Sequence, residues 1–384
     1  MEKKRNSEIR KSSDSELPPD NIIQVILSKV PLFNLPSCRL VCKAWNNLVL
    51  TCKFDPPLLI SSLSLAYDCP SRNLYCMDFN LKYLEGMSSV VSFTFHPKFF
   101  TSSISIINSC NGLLSLLISK RKSGSPISYV LCILNPMTNE YFKFPAEKSK
   151  THCCCGRPYS YGLGFSPETK QYKIARTSFL RDESTTSVEI FAFGTTREWT
   201  PVGVLPSLVV EDHGVYFNGG LYWTVDELQP RDSNNAIYRL DIENEKLEKI
   251  SCPHYGGGHF FFGVFDGTLY LTTYTGTVDN IYQVWKMEEN LSWIKAFVLS
   301  RPENLRHPEH DQPWGVSQLQ PIKVCEDGKI LCLLAGFLLI LYDPKTKRVK
   351  ILTNQDVETE RHLHVHQIDS SNFNSLPNIL AGKS

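Results

Sequence analysis

Thirteen cysteines and ten histidines make metal binding the first chemistry to weigh in this chain. Cys153-Cys154-Cys155 follow His152, but neighbours in an extended segment point to opposite sides, whereas structural zinc takes cysteines separated by two to four residues. His362, His364 and His366 would share one face of a strand, yet side chains about 7 Å apart along it do not converge on one ion without a bend. Gly256-Gly257-Gly258 lacks the lysine and hydroxyl residue of a phosphate loop. Gly164-Phe165-Ser166-Pro167 lacks the second glycine of a nucleophile elbow. Glu288-Glu289 read as solvated charge in a polar turn. The residues therefore point to neither metal, cofactor nor catalytic set, and the expectation is a chain that binds.

Composition narrows what it binds. At 384 residues, with 42% hydrophobic and 21% charged residues, the chain can bury a core. A net charge of +1 gives no broad field for nucleic acid or anionic membrane. The longest apolar run, residues 330–342, is too short to cross a bilayer and carries Gly336 in its middle, which predicts two buried strands around a turn. Residues 1–16 have no apolar stretch of a secretory signal and read as a disordered tail, with Lys3, Lys4 and Arg5 a solvated cluster. Scattered cysteines without a signal imply reduced thiols, hence cytoplasm, nucleus or both.

Two kinds of element must position any binding surface. Residues 17–50 are helical in pattern. Asp20 is placed to cap a helix carrying Ile22, Ile23, Ile26, Leu27 and Val30, which Pro31 ends. Asn34 is placed to cap a second, with Pro36 in its first turn and Leu35, Cys38, Val41, Cys42, Trp45 and Leu48 on one side, and a break near Cys42. A segment this short rarely buries enough surface to fold unaided, so its core is expected to be completed by a partner.

On these residues the segment resembles an F-box: Leu17-Pro18 opens it, Val30-Pro31 makes its middle turn and Val41-Cys42-Lys43-Ala44-Trp45 lies near its end. The resemblance implies docking on the Skp-family adaptor of cullin-based SCF ubiquitin ligases. The residues to which it assigns adaptor contact or F-box packing are Leu17, Pro18, Ile22, Ile23, Ile26, Leu27, Val30, Pro31, Leu35, Val41 and Trp45.

From residue 57 a strand pattern takes over. Glycine turns lead into apolar strands at Asn111-Gly112, Gly219-Gly220, Asp266-Gly267 and Asp327-Gly328. Hairpins follow from Cys132, Leu163, Val188, Ile237, Ile281 and Leu338, with turn chemistry at Pro136, Pro167 and Pro344. Such recurrence suits four-stranded propeller blades, which bury their faces by stacking around an axis. Five units run from Asn111 to Thr353; strands at 58–67, 73–80 and 90–96, completed by 362–368, make a sixth. The fold expected is thus α+β and multidomain: a disordered tail at 1–16, an α-helical F-box at 17–50, an all-β propeller of about six blades at 57–376 and a tail at 377–384.

The order NGLL, LNPMTNEYFKFP, YGLGFSPETKQYKIAR, NGGLYW, DGTLYL and LYDPKTKRVKIL is similar to the C-terminal F-box-associated, kelch-like interaction domain of plant F-box proteins. That resemblance implies a non-catalytic substrate receptor, which binds the adaptor, reaches the cullin and RING subunit through it, and holds a protein target for ubiquitination. The alternative is an adaptor-bound propeller binding a protein, glycan or small ligand outside ubiquitination. Long connections carry recognition on rigid scaffolds, so 300–320, with Arg301, Arg306 and Trp314, and also 227–235 and 148–159, are the candidate target contacts.

Overall fold

The computed structural model describes residues 19–30, 34–51, 58–64, 72–77, 103–120, 128–144, 159–180, 184–195, 198–209, 213–227, 234–253, 260–265, 267–275, 281–300, 319–325, 327–334, 338–352, 361–367 and 375–381. They fall into two units, Met1–Phe54 and Asp55–Ser384.

The first unit holds α1 (Asp20–Leu27), α2 (Leu35–Cys38) and α3 (Lys43–Thr51). Asp20 is not the cap: the extended Pro19 precedes the helix, and its carbonyl accepts from the amides of Ile22 and Ile23 at 2.9 and 3.1 Å. Asp20 instead places its carboxylate in the first turn, where the helix dipole favours it. Asn34 does cap α2 by position, without a side-chain hydrogen bond. The expected second helix is broken before Cys42, where the amides of Arg39, Leu40 and Val41 bond back to Leu35, Ser37 and Cys38. Arg39 Nε donates to Asn46 Oδ1 at 2.9 Å, tying this corner to α3.

Among the described residues the second unit is a propeller with five blades of four or five strands, not about six. In chain order they are β3 (Ser103–Cys110), β4 (Leu113–Lys120), β5 (Ser128–Asn135) and β6 (Glu140–Lys143); β7 (Ser160–Ser166), β8 (Gln171–Leu180), β9 (Thr185–Ala192) and β10 (Thr200–Leu205); β11 (Leu208–Val209), β12 (Val215–Phe217), β13 (Gly220–Glu227), β14 (Asn234–Asp241) and β15 (Lys246–Ile250). Next come β16 (Phe260–Phe265), β17 (Thr268–Thr275), β18 (Ile281–Met287) and β19 (Trp293–Ser300); then β20 (Leu319–Val324), β21 (Ile330–Leu334), β22 (Leu338–Asp343) and β23 (Arg348–Ile351). The segments expected to build a sixth blade form a three-stranded sheet, in which β1 (Leu58–Ser64) is flanked by β2 (Arg72–Met77) and β24 (Arg361–Gln367). The strand expected at 90–96 lies outside the described residues. The tail expected at 377–384 contains most of α4 (Leu376–Leu380), whose Leu376, Ile379 and Leu380 are buried.

Turn residues make each blade an antiparallel meander. Asn111 and Gly112, with φ of 47° and 77°, turn β3 into β4, and Asn218 and Gly219, at 48° and 75°, turn β12 into β13. Two consecutive positive φ values match the twist of a two-residue hairpin. The second corner is thus one residue earlier than Gly219-Gly220. A different device joins β5 to β6, β14 to β15 and β22 to β23. Asn135, Asp241 and Asp343 accept the amides two and three residues on, and Asn139, Glu245 and Lys347 take the positive φ that brings the chain back.

The core lies between blades, as the stacking argument requires. One cluster joins Ile107, Leu117, Ile133 and Phe144 to Leu163, Ile174 and Phe193, with α4 packed into it. Others join the second blade to the third around Trp223, the third to the fourth around Tyr222 and Leu271, and the fourth to the fifth around Tyr282 and Ile340.

Polar groups fix how neighbours meet. Asn108, at the bulge of β3, donates to the Leu163 carbonyl at 2.8 Å and accepts from the Leu163 amide at 3.0 Å, so a carboxamide substitutes for backbone between β3 and β7. Lys173, only 5% exposed, donates to the Ile242 carbonyl at 2.9 Å and to Glu245 at 2.8 Å. Gly214, between β11 and β12, bonds to the Tyr161 carbonyl; an added Cβ there would lie 2.6 Å from the buried Trp223 ring. No other residue type fits.

Candidate interaction surfaces

The helical unit divides its apolar residues in two. Ile23, Leu27, Leu35, Leu48 and Val49 are buried. Ile22, Val25, Ile26, Leu40, Val41 and Leu50 are exposed, Leu40 by 86%, Val41 by 59% and Ile26 by 42%. Thus Ile23, Leu27 and Leu35 hold the helices together, while Ile22, Ile26 and Val41 are presented outward. Val30 and Trp45 are half-buried. The Trp45 indole nitrogen is covered but has no hydrogen-bond acceptor among the described residues. Leu17, Pro18 and Pro31 lie outside the described residues. Sequence reasoning passed over Leu40, which lies off the helical stripe; the turn between α2 and α3 leaves both it and its neighbour Val41 exposed.

Among the described residues no group of three His, Cys, Asp or Glu could hold a metal. His362, His364 and His366 do alternate along β24, opposite Leu63, Ser61 and Leu59 of β1. Cys153, Cys154, Cys155 and the 256–258 glycines lie outside the described residues. Ser166 is buried and structural: its hydroxyl donates to Glu243 at 2.6 Å, a bond between the second and third blades. Glu288 accepts from the Ser292 hydroxyl at 3.1 Å within its own turn. Burial pushes the Cys132 and Cys252 thiols up to about 12, and raises Cys332 as well, so these sulfurs stay protonated and unreactive near neutrality.

Arg301, Arg306 and Trp314 lie outside the described residues; the ends of the strands on either side, β19 and β20, are described. In a four-stranded meander the connections between first and second strands, and between third and fourth, share one face; the others share the opposite face. The tight turns at Asn111-Gly112, Asn218-Gly219, 135–139, 241–245 and 343–347 all belong to the first face. The strand ends bracketing 144–159, 228–233 and 301–318 all belong to the second. The strand ends that border the three candidate connections therefore share one side of the propeller.

Comparison with known proteins agrees with this two-part construction. The family model for the F-box domain matches residues 15–56, and that for the F-box associated beta propeller domain matches residues 76–376. Neither is a kelch model, so the kelch-like expectation is not carried over. "F-box protein At3g07870" of Arabidopsis thaliana is 24% identical, covering 91% of this chain and 90% of the relative. "F-box protein At5g49610" of the same plant is 25% identical over 71% of this chain and 75% of its own. Among solved structures, the β-propeller domain of the Trilobed protease from Pyrococcus furiosus covers 71% of this chain and 99% of its own, at 12% identity and a TM-score of 0.38, too distant to bear on function. With helices that keep apolar side chains outward and a propeller matched over residues 76–376, the chain belongs to the F-box proteins that carry an F-box associated beta propeller domain.

Proposed function

We propose that this protein is the substrate receptor of an SCF-type ubiquitin ligase, present in cytoplasm, nucleus or both. Its helices dock on a Skp-family adaptor, and its propeller holds a target protein within reach of the ubiquitin-conjugating enzyme recruited by cullin and RING subunits. The chain itself does no covalent chemistry in this reading; holding the acceptor lysine nearby raises its effective concentration.

The observation that carries the proposal is the outward set Ile22, Val25, Ile26, Leu40 and Val41 beside a separate buried set. Apolar side chains that the helices leave exposed, three of them on α1 and two in the corner after α2, mark an interaction site. F-box domains bind Skp-family adaptors, which supplies the occupant. The test is Ile26→Asp in the full-length chain, with Ile23→Asp as its contrast. Since Ile26 is exposed, its change should leave the melting temperature unchanged and weaken adaptor binding by about 2 kcal/mol or more. Ile23→Asp should unfold the helices. Co-elution of cullin with the wild-type complex supports the ligase reading, and adaptor complexes that never take up cullin favour a binding module outside ubiquitination.

A further inference from the structure

Every blade of a propeller ends in an edge strand whose outer backbone groups are unpaired, an invitation to added strands that proteins usually withdraw. Four of the five edges here are withdrawn. On β6, α4 packs against it, and Glu140 accepts from the Leu376 amide at 2.6 Å. A bulge between Pro201 and Gly203 interrupts β10, and another, opposite Val284 and Trp285, interrupts β19. The edge strand β15 leans on β10, with Leu247 against Gly203. The fifth, β23, pairs regularly with β22 from Arg348 opposite Asp343 to Ile351 opposite Ile340, and no described strand lies beyond it.

The fifth blade is also where positive charge collects. Its described residues include Lys323, Lys329, Lys345, Lys347, Arg348 and Lys350 against two acids, Asp327 and Asp343, in a chain of net charge +1. Both acids are already engaged. Asp327 accepts from Lys329 Nζ at 2.7 Å, and Asp343 accepts the Lys345 and Thr346 amides at 2.9 and 3.3 Å. Lys345, Lys347, Arg348 and Lys350 are exposed, and their side chains make no ion pair among the described residues. Arg348 and Lys350 alternate on one side of β23; Val349 packs inward on the other, and Ile351 beside it is 48% exposed.

From this juxtaposition we infer that β23 is a docking edge for an extended peptide segment of alternating acidic and apolar residues. The segment adds to the fifth blade as an outermost strand. Two paired strands share one side-chain repeat, so carboxylates at every second position meet Arg348 and Lys350, while the residues between them lie beside Ile351. Lys345 and Lys347, in the adjoining turn, extend the positive field past the strand's start. A patch on one short strand is too small for a nucleic-acid groove, and its strand spacing fits a peptide. The inference does not rest on adaptor docking and survives if the ligase reading fails.

The test uses the full-length protein and a short fluorescein-labelled peptide of alternating Glu and Val, followed by fluorescence anisotropy. Wild type should bind at low ionic strength and weaken as salt rises. Arg348→Glu with Lys350→Glu should lose about tenfold or more in affinity at an unchanged melting temperature. Lys170→Glu with Lys246→Glu, the same charge change on the second and third blades, should bind as wild type. A Gln-for-Glu peptide, and one N-methylated at every second residue so that backbone pairing is blocked, should both fail. Equal binding by the Arg348/Lys350 variant, or by the N-methylated peptide, overturns the inference. So does wild-type binding to anionic phosphatidylserine vesicles but not to peptide, or a variant that aggregates without losing peptide affinity, which would make these cations edge guards only.

Discussion

Asn108 uses one carboxamide to satisfy both backbone groups of Leu163 while accepting from the Ser115 hydroxyl at 2.7 Å. Asn108→Asp keeps the shape, loses the donor to the Leu163 carbonyl and buries a charge, so it should cost about 3 kcal/mol in urea unfolding. Asn108→Ser, which gives up both bonds to Leu163 but buries no charge, should cost less. Thiol chemistry follows burial in the same way. Cys38 and Cys42 are half-exposed, whereas Cys110, Cys132 and Cys332 are buried. Brief maleimide treatment of the native protein, read by peptide mass spectrometry, should label the first pair and spare the second set, and bound adaptor should protect the first pair.

Single positions were legible in sequence when their role was local. Asn111, Gly112 and Gly219 announce a turn because few residues tolerate their φ. The split between Ile22 and Ile23, or Ile26 and Leu27, was not legible. Helical periodicity groups all four on one apolar side, and only packing against α2 and α3 decides which two turn inward.

Among elements, the joint between the second and third blades makes the most explicit electrostatic prediction. Burial alone would raise the Asp241 carboxyl, but hydrogen bonds from Asn244, the Arg239 guanidinium and the Glu243 amide together hold it below its usual value. A depressed folded-state pKa contributes stability that is fully present above the unfolded value, about 4, and disappears as pH falls through the folded one. The difference in melting temperature between wild type and Asp241→Asn should therefore be largest near neutrality and shrink below about pH 4. At the same joint Lys173→Ala strands Glu245 and the Ile242 carbonyl, and should cost about 2 kcal/mol in urea unfolding.

The hairpins were readable because turn residues and alternating apolar residues sit close together in sequence. The run 330–342 became β21 and β22, as its central glycine suggested. Two features escaped. The third blade's first strand is divided into β11 and β12, and His213 between them bridges to Tyr161 of the preceding blade, a pairing set by a neighbour 52 residues earlier in the chain. The helix α4 escaped because five residues, one of them proline, carry no period of their own; Glu140 at its start and the cluster around Phe193 make it a helix.

At the scale of the whole molecule, the two-unit division was plain from the change in hydrophobic period near residue 57, close to the boundary at Phe54 and Asp55. Blade number was not. The sequence offers strands for a sixth unit, but whether distant segments complete four strands is a question of long-range pairing. A chain ending at Ser375 should report on one such long-range contact. It loses three buried side chains, each worth about 1.5–3 kcal/mol, and should melt several degrees lower while keeping its β-rich circular dichroism.

In the three-stranded sheet, β1 pairs with β24 across nearly the full length of the propeller sequence, Leu58 opposite Gln367 and Ser64 opposite Arg361. During translation β1 leaves the ribosome early and meets β2 soon after, but its second mate is made only after all the described blades. A chain truncated before residue 361 thus keeps β1 paired with β2 on one side and leaves it open along the other, an edge onto which a second chain can add a strand. Covering that edge falls to β24, the last of the described strands.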